Sequence, residues 1–435
     1  MLSEQAIQDI IKKYFDKGNA LTDHQISSYD DLIDTIIPNL LNNLFPLYIP
    51  IHNEIIDSIQ LSIKQTHIEN PVYTENNGCS YPMTPYIAKL KNYTYSLSIL
   101  IDYHVEIKYI QDGITITEIK EINKILLGKI PIVIKSKYCI SHNITTKECL
   151  YDPGGYFIIN GNEKSIISQE KVCPNIIQIN PISKHSKYDI SAEIRSTPEN
   201  LNIPPKILAI KMTYPECEYN HFIRVAVPHM RCEIPLFILF RALGCDSDKE
   251  ICYYILDNDN SDLDNKLLQS LRCSILEASD IITQTDAINY MKNYINNSSN
   301  FKSDDIVKFN YIKRTVLKDI LPHVGGNYLH KCHFMGLMVN QLIKKHLQVI
   351  PFSDRDSYEN KRIEPCGILI GNLMYQCLTR LTKEIKSNII KEANSGQWNI
   401  SHNVSDMIND ISIQKIIRSS YIETVIKGAM ATGNW

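Results

Sequence analysis

The chain has 435 residues, too many for one simple core and enough for about two to four domains. Its 44% hydrophobic and 21% charged content places it with soluble globular proteins rather than disordered or fibrous chains. A formal net charge of −3 argues against a generic basic nucleic-acid coat, but it leaves room for basic residues gathered along one channel. Isoleucine and asparagine are abundant, as an AT-rich genome would produce. The 12 cysteines include no Cys-x-x-Cys pair, and Cys245 and Cys252, or Cys366 and Cys377, lack zinc-ribbon spacing. His330, Cys332 and His333 point in different directions on a helical pattern, so no metal site is expected there. There is neither a basic-then-apolar leader nor an apolar run long enough to span a bilayer. The expectation is an intracellular protein with reduced thiols.

In chain order, Ser3 is placed to cap a helix whose apolar residues Ile7, Ile10, Ile11, Tyr14 and Phe15 share a packing face, with Gly18 as its stop. A second helix carries Leu32, Ile33, Ile36 and Ile37 and is predicted to end before Pro38. The pattern then turns to strands, with residues 98–110 and 113–119 alternating around an Asp112-Gly113 turn. Lys89 and Lys91 have the spacing of a solvated strand edge. Residues 128–139 read as a strand leaving a turn.

Residues 152–171 read as a turn, a strand, a second turn and a second strand. Pro153-Gly154-Gly155 is turn chemistry, residues 156–159 favour β structure, and Asn160-Gly161 is a strong two-residue hairpin signal. The apolar run resumes at 165–168, leaving Asn162, Glu163 and Lys164 as a polar tip. Two glycines in a turn could cradle phosphate, but no Lys-Ser/Thr follows a spaced second glycine, so the P-loop pattern is absent.

Residues 181–187 are polar and basic and read as a domain crossing. Short strands at 207–212 and 223–227 lead to a segment at 234–244 with Gly244 as helix stop. Polar loops are expected at 257–264 and 296–305. A helical pattern at 311–321, including Ile312, Val316, Leu317 and Ile320, is predicted to end at Pro322. A helix over 331–347 turns Met335, Met338, Leu342 and Ile343 to the core. Residues 353–362 hold the clearest polar chemistry. Asp354 and Asp356, beside a basic pair, suggest metal or phosphate handling, against the commoner role of local capping. A long amphipathic helix over 367–394 aligns Leu369, Leu373, Cys377, Leu381, Ile385 and Ile389. Neither an internal repeat nor an aromatic-basic repeat is visible.

Taken in order, these stretches resemble the second-largest subunit of multisubunit DNA-directed RNA polymerases, the counterpart of bacterial β, of eukaryotic or large-DNA-virus type. Residues 154–164 resemble its GGYFIINGSEK signature, 88–96 its ARLRNLTYSS passage and 128–139 its GRLPIMLRSKxC block. AEIRS, IPIVIIFRALG, KEFLPHI and LTKDI are matched in turn at 192–196, 234–244, 318–323 and 381–385, and KYALATGNW at 427–435. Residues 353–362 resemble DDRDHFGKKR, from which Ser353, Ser357, Glu359 and Asn360 depart while Arg355, Asp356, Lys361 and Arg362 keep the pattern.

The resemblance implies a multidomain α+β fold. A mixed strand-and-helix protrusion would comprise 1–180 and 350–408, interrupted by an inserted α+β lobe at 181–349, with 409–435 starting a fork. It implies templated phosphoryl transfer by an assembled nucleotidyltransferase using Mg²⁺. The metal-binding carboxylates of that family belong to the largest subunit, so no catalytic residue, metal or cofactor is assigned to this chain. Its implied part is one wall of the cleft that holds DNA and the RNA–DNA hybrid. Arg355, Lys361, Arg362 and Lys427 are the implied phosphate contacts, salt-sensitive and sequence-tolerant. For Arg355 and Lys361 the alternative is an interdomain salt bridge. Gly154, Gly155, Asn160, Gly161, Glu163 and Lys164 form the implied structural signature. The implied partners are the largest subunit, other polymerase subunits, template DNA and the hybrid, with no membrane. The implied setting is the nucleus or, for a viral chain, a cytoplasmic virus factory or virion. The competing assignment is a stand-alone or repurposed structural or nucleic-acid-binding paralogue without polymerase activity; the charge and the missing aromatic-basic repeat disfavour a free-standing nucleic-acid binder.

Overall fold

The computed structural model describes residues 3–16, 20–51, 56–75, 77–111, 114–140, 148–149, 151–183, 185–198, 203–214, 221–257, 262–295, 305–394, 414 and 416–435. Gly18, the Asp112-Gly113 turn, residues 258–261 and 296–304 of the expected loops, and the side chains of Val316 and Leu317 lie outside them. The fold is α+β, and the chain forms two compact units. The first comprises Met1–Gln169 and Ile363–Trp435, and the second, Glu170–Arg362, interrupts it.

The first unit begins with α1 (Glu4–Phe15), α2 (Asp23–Asp31) and α3 (Ile37–Leu44), the last two joined by a π-helical turn at Leu32–Ile36. Ser3 caps α1 as expected, its Oγ accepting from the Ala6 N–H at 3.3 Å, but Ile7, Ile10, Ile11, Tyr14 and Phe15 stay exposed rather than packed. The helix also runs through Pro38 instead of stopping before it. The wide π turn places proline in the first turn of α3, where a missing N–H costs nothing.

Next come β1 (Leu47–Pro50), β2 (Ile56–Glu69), β3 (Val72–Thr74), β4 (Ser80–Pro82), α4 (Pro85–Leu90), β5 (Ser96–Gln111) and β6 (Ile114–Pro131). Strands β1, β2, β5 and β6 form one antiparallel sheet in that order, and β3 pairs with β4. Gly128 to Pro131 is therefore the end of a long strand, not the start of a new one. Alternate residues of β5 (Ile99, Ile101, Tyr103, Val105, Ile107) are buried, the period-2 pattern of a half-covered sheet. Strands β7 (Phe157–Ile159) and β8 (Asn162–Lys164) make the signature hairpin. The unit closes with α11 (Cys366–Asn394) and α12 (Ser420–Thr432), which follow the helices of the second unit in the chain. All six residues of the expected α11 stripe, from Leu369 to Ile389, are buried.

Strands β9 (Gln169–Val172) and β15 (Lys361–Glu364), where the chain passes into and out of the second unit, pair as a two-stranded sheet. Within the second unit, β10 (Ile177–Pro181), β11 (Tyr188–Ser196), β12 (Lys206–Thr213), β13 (Ile223–Ala226) and β14 (Ile234–Pro235) form an antiparallel meander. Helices α5 (Leu236–Ala242), α6 (Asp248–Ile255), α7 (Asp262–Glu277), α8 (Gln284–Lys292), α9 (Asp305–Lys318) and α10 (Tyr328–His346) complete it. Every residue of α5 is buried. Among them, Arg241 is neutralised by Asp248 and donates to the carbonyls of Ala278 and Ile281. Met335 and Met338 of α10 are fully buried core residues. Helix α9 ends at Lys318, short of Pro322, because Asp319 and Ile320 both donate to the Thr315 carbonyl and Leu321 turns left-handed at φ 48°. Lys331 is completely buried and donates to the Ile320 carbonyl, while Cys332 lies against Cys245 and His333 against the Tyr254 ring.

Gly367 permits a close approach of α11 to α2, since a Cβ there would lie 1.9 Å from the Ser28 carbonyl oxygen. Gly367→Ala is expected to cost about 3 kcal/mol or more in urea denaturation. Gly428→Ala, on an open face of α12, should be neutral or stabilising by about 0.5–1 kcal/mol. Burial also lowers the Lys331 ammonium to about 8. Above that value the unfolded chain, with an ordinary lysine, holds more protons than the folded one. The penalty is thus complete at lower pH and relieved as pH rises. Relative to Lys331→Met, wild-type stability should climb by roughly 2–3 kcal/mol between about pH 7 and about pH 10. A difference that does not vary with pH would exclude this account.

Candidate nucleic-acid interface

The signature hairpin is held by its turn residues. Asn160 and Gly161 sit at φ 50° and 80°, the left-handed pair of a type I′ turn, so Asn162 lies directly opposite Ile159. Asn162, Glu163 and Lys164 are consequently the second strand itself, not a tip beyond it. Gly161 has no room for a side chain, because a Cβ would fall 2.5 Å from Asn92 Oδ1. Its N–H donates to the Tyr93 carbonyl at 3.0 Å. The backbone N–H of Asn160 donates to Thr94 Oγ1, which in turn donates to Asn160 Oδ1. Gly154 and Gly155 are also left-handed, and a Cβ on either would lie within 2.9 Å of Ile134 O or Thr22 Cβ.

One polar chain fastens these turns to α4. The Gly154 N–H and the Tyr156 hydroxyl donate to Asp152 at 2.9 and 2.6 Å. Lys89 Nζ reaches Tyr156 Oη at 3.3 Å, Glu163 at 2.7 Å and Glu148 at 3.5 Å. Partial burial would lower the Lys89 ammonium, but its hydrogen bonds with Glu163 and Tyr156 outweigh this and raise it well above the ordinary lysine range. Lys89 is thus a structural tie rather than a free strand-edge cation. Lys164 is half-buried opposite Phe157.

The segment at 353–362 is organised by local bonds. Asp354 Oδ1 accepts from the N–H groups of Asp356 and Ser357, and the Asn360 amide donates to the Asp354 carbonyl. These are capping roles, and no group of three or more His, Cys, Asp or Glu able to hold a metal occurs among the described residues. Ser353 exchanges bonds with Ile179, through its N–H and its Oγ, and ties the segment to β10. Lys361 Nζ lies 2.8 Å from Glu170 and 3.9 Å from Asp356, and the Glu170 hydrogen bond raises its pKa. The Arg362 guanidinium folds back onto the carbonyls of Glu359 and Lys361. Arg355 is exposed and makes no ion pair among the described residues.

Lys427 projects from α12 and pairs with Glu423 one turn earlier at 2.7 Å. It lines an open cleft of about 410 Å³ together with Asn160, Lys129, Tyr73 and Tyr93. Asn160 and Lys427, far apart in the chain, therefore share one site. Tyr93 and Lys129 lie in the matched blocks at 88–96 and 128–139, but nothing linear places them beside Tyr73 of β3 in one cleft.

The sequence comparisons give the family of the chain. Residues 20–424 match the family described as RNA polymerase beta subunit. The chain belongs to that family. It is 31% identical to DNA-directed RNA polymerase II subunit 2 of Arabidopsis thaliana, over 98% of this chain and 36% of the relative. Identity to the Encephalitozoon cuniculi subunit RPB2 is 28%, over 98% and 36%. The archaeal subunit Rpo2N of Methanothermobacter thermautotrophicus (strain Delta H) is 27% identical, over 98% of this chain and 80% of its own length. The chain thus spans about a third of the polymerase II subunits it matches, and it corresponds to the N-terminal part of the second-largest subunit.

Gly161→Ala is expected to destabilise the first unit by about 2 kcal/mol or more, because positive φ and a backbone contact are both violated. Glu163→Gln, at a largely exposed carboxylate, should cost only about 1 kcal/mol or less. Thermal unfolding of the two variants side by side checks the order.

Proposed function

We propose that this chain works in transcription as part of DNA-dependent RNA polymerase, forming one wall of the cleft around template DNA and the RNA–DNA hybrid. The observation that carries this reading is the match to polymerase subunits along 98% of the chain. On this reading residues 1–180 and 350–408 are the protrusion, 181–349 the lobe and 409–435 the start of the fork. The compact units exchange at 169/170 and 362/363, and the β9–β15 ladder would mark the protrusion–lobe crossing.

The wall supplies cations, not catalysis. Mg²⁺ and its carboxylates would come from the largest subunit, the partner implied by membership of the family, and the eukaryotic relatives favour a nuclear setting. Phosphate contacts need cations that can leave their present partners. Arg355 ranks first, being exposed and without an ion pair among the described residues. Lys427 follows, because a half-exposed helical pair with Glu423 is worth only about 0.3–0.5 kcal/mol. Arg362 is exposed but folded onto carbonyls, and Lys361 is committed to Glu170.

In the assembled polymerase, Arg355→Ala should lower DNA retention and reduce the slope of log affinity against log salt by about 0.9, the effect of one duplex phosphate contact. Lys361→Ala with Arg362→Ala should weaken retention further, by less per residue than Arg355→Ala. Unchanged retention of all variants across the salt titration would remove these side chains from the interface.

A further inference from the structure

The cleft beneath the signature hairpin holds more chemistry than Lys427 alone. Tyr73 is the centre of a tyrosine cluster, its ring centroid 5.8 Å from Tyr81 and 6.4 Å from Tyr93, with planes tilted by only 32° and 36°. Tyr73 and Tyr93 line the cleft, and Tyr93, 40% exposed, leaves surface open to a ligand, while Tyr81 packs on Tyr73 from outside the lining. On the outer side Lys91 Nζ caps the Tyr73 ring at 4.4 Å and pairs with Glu75 at 3.0 Å, which holds that ring in place.

The opposite wall carries Lys129, Lys427 and the carboxylate of Glu423, brought together by a close helix–strand approach. Gly128 has no side chain where α12 crosses β6, and a Cβ there would lie 2.9 Å from Ile422 Cδ1. That approach sets Lys427 of α12 and Lys129, the residue after Gly128, on one cleft. Lys129 is exposed and makes no ion pair among the described residues, whereas Lys427 shares its charge with Glu423. The side-chain hydroxyl of Thr94 and the amide of Asn160 satisfy one another on the cleft wall.

Rings with open faces on one side and an uncompensated cation on the other are the two parts of a single-strand nucleic-acid site. Stacking accepts any base, and lysines follow the backbone. A paired, stacked base offers no free face, so a duplex could use the lysines but not the tyrosines. The cleft volume of about 410 Å³ falls in the range of sites that take one small ligand, the size class of a single nucleotide.

We infer that this cleft binds one nucleotide of a single-stranded polynucleotide, with a base stacked on Tyr93 and its flanking phosphates at Lys129 and Lys427. This rests on the nucleic-acid role proposed above, but it names a different strand state and mostly different residues. It also supplies, by folding, the aromatic-basic surface that the linear sequence lacks.

Fluorescence anisotropy of the 435-residue chain with labelled oligothymidine, oligouridine and a duplex of equal length tests it. Single strands should bind more tightly than duplex. Tyr93→Ala should weaken them about 10-fold with little change for duplex, and Tyr93→Phe should bind like wild type. Lys129→Ala should weaken single strands a few-fold and lower the salt slope by about 0.7. The two single strands decide between DNA and RNA as the bound polymer, and tighter binding of either supports the site. No single-strand binding, equal binding of duplex, or an unchanged Tyr93→Ala affinity would each overturn it. If Tyr93→Ala loses its circular dichroism spectrum, the exposed Lys129→Glu decides, with loss of binding supporting the site and retention overturning it. A polymerase impaired by Arg355→Ala with Tyr93→Ala silent would sink the cleft and leave the wall. The reverse pattern would sink the Arg355 contact and leave the cleft.

Discussion

The first unit closes around one buried amide. Gln25 of α2 donates from Nε2 to the Ile166 carbonyl at 3.2 Å and to Ser168 Oγ at 2.9 Å, and its Oε1 accepts from the Cys366 N–H at 2.8 Å. Three segments, from the start, the middle and the last quarter of the chain, meet at that side chain. The second unit lies between the last two, so the first unit forms only when strands and helices hundreds of residues apart find one another. Loop-closure entropy rises slowly with length, so such an insertion is thermodynamically tolerable if the joint is specific. The specificity comes from the amide's fixed donors and acceptor, and from Gly367, which lets α11 touch the backbone of α2 at Ser28.

The same economy runs through the signature hairpin. Its glycines accept φ values and approaches that no other residue tolerates, and its charges are spent on Lys89, Asp152 and their neighbours. A stretch whose wording suggests a phosphate cradle is instead a clamp between α4 and the segment at 134–135. Arg355 on the 353–362 segment and Lys129 in the cleft beside α12, by contrast, are exposed and make no ion pair among the described residues.

Elements with long, regular patterns were legible in the sequence. The α11 stripe, the methionine face of α10 and the Asn160-Gly161 turn could each be read because periodicity or turn chemistry is local. The extent of β6, the passage of the helix through Pro38 and the early end of α9 were not. The π turn and the left-handed Leu321 are local departures that residue type does not announce, and the length of β6 is set by its ladder with β5. For the site, the family blocks brought out Arg355, Lys361, Arg362 and Lys427 but not which of them are already engaged. The Lys427–Glu423 pair is local to one helical turn, but the Lys361–Glu170 pair is a tertiary fact. That Lys129 and the tyrosines around Tyr73 meet was invisible for the same reason. The helix that shapes their cleft follows β6 by nearly 300 residues.

The β9–β15 ladder has a consequence for how this architecture varies. Pairing places the two ends of the inserted unit about one strand spacing, roughly 4.8 Å, apart. A cassette whose termini are adjacent imposes almost no geometric demand on its host. Residues between the two strands can lengthen, shorten or be exchanged while the host core around Gln25 keeps its contacts. The ladder therefore acts as a graft junction, uncoupling the length and sequence of the inserted unit from the fold of its host.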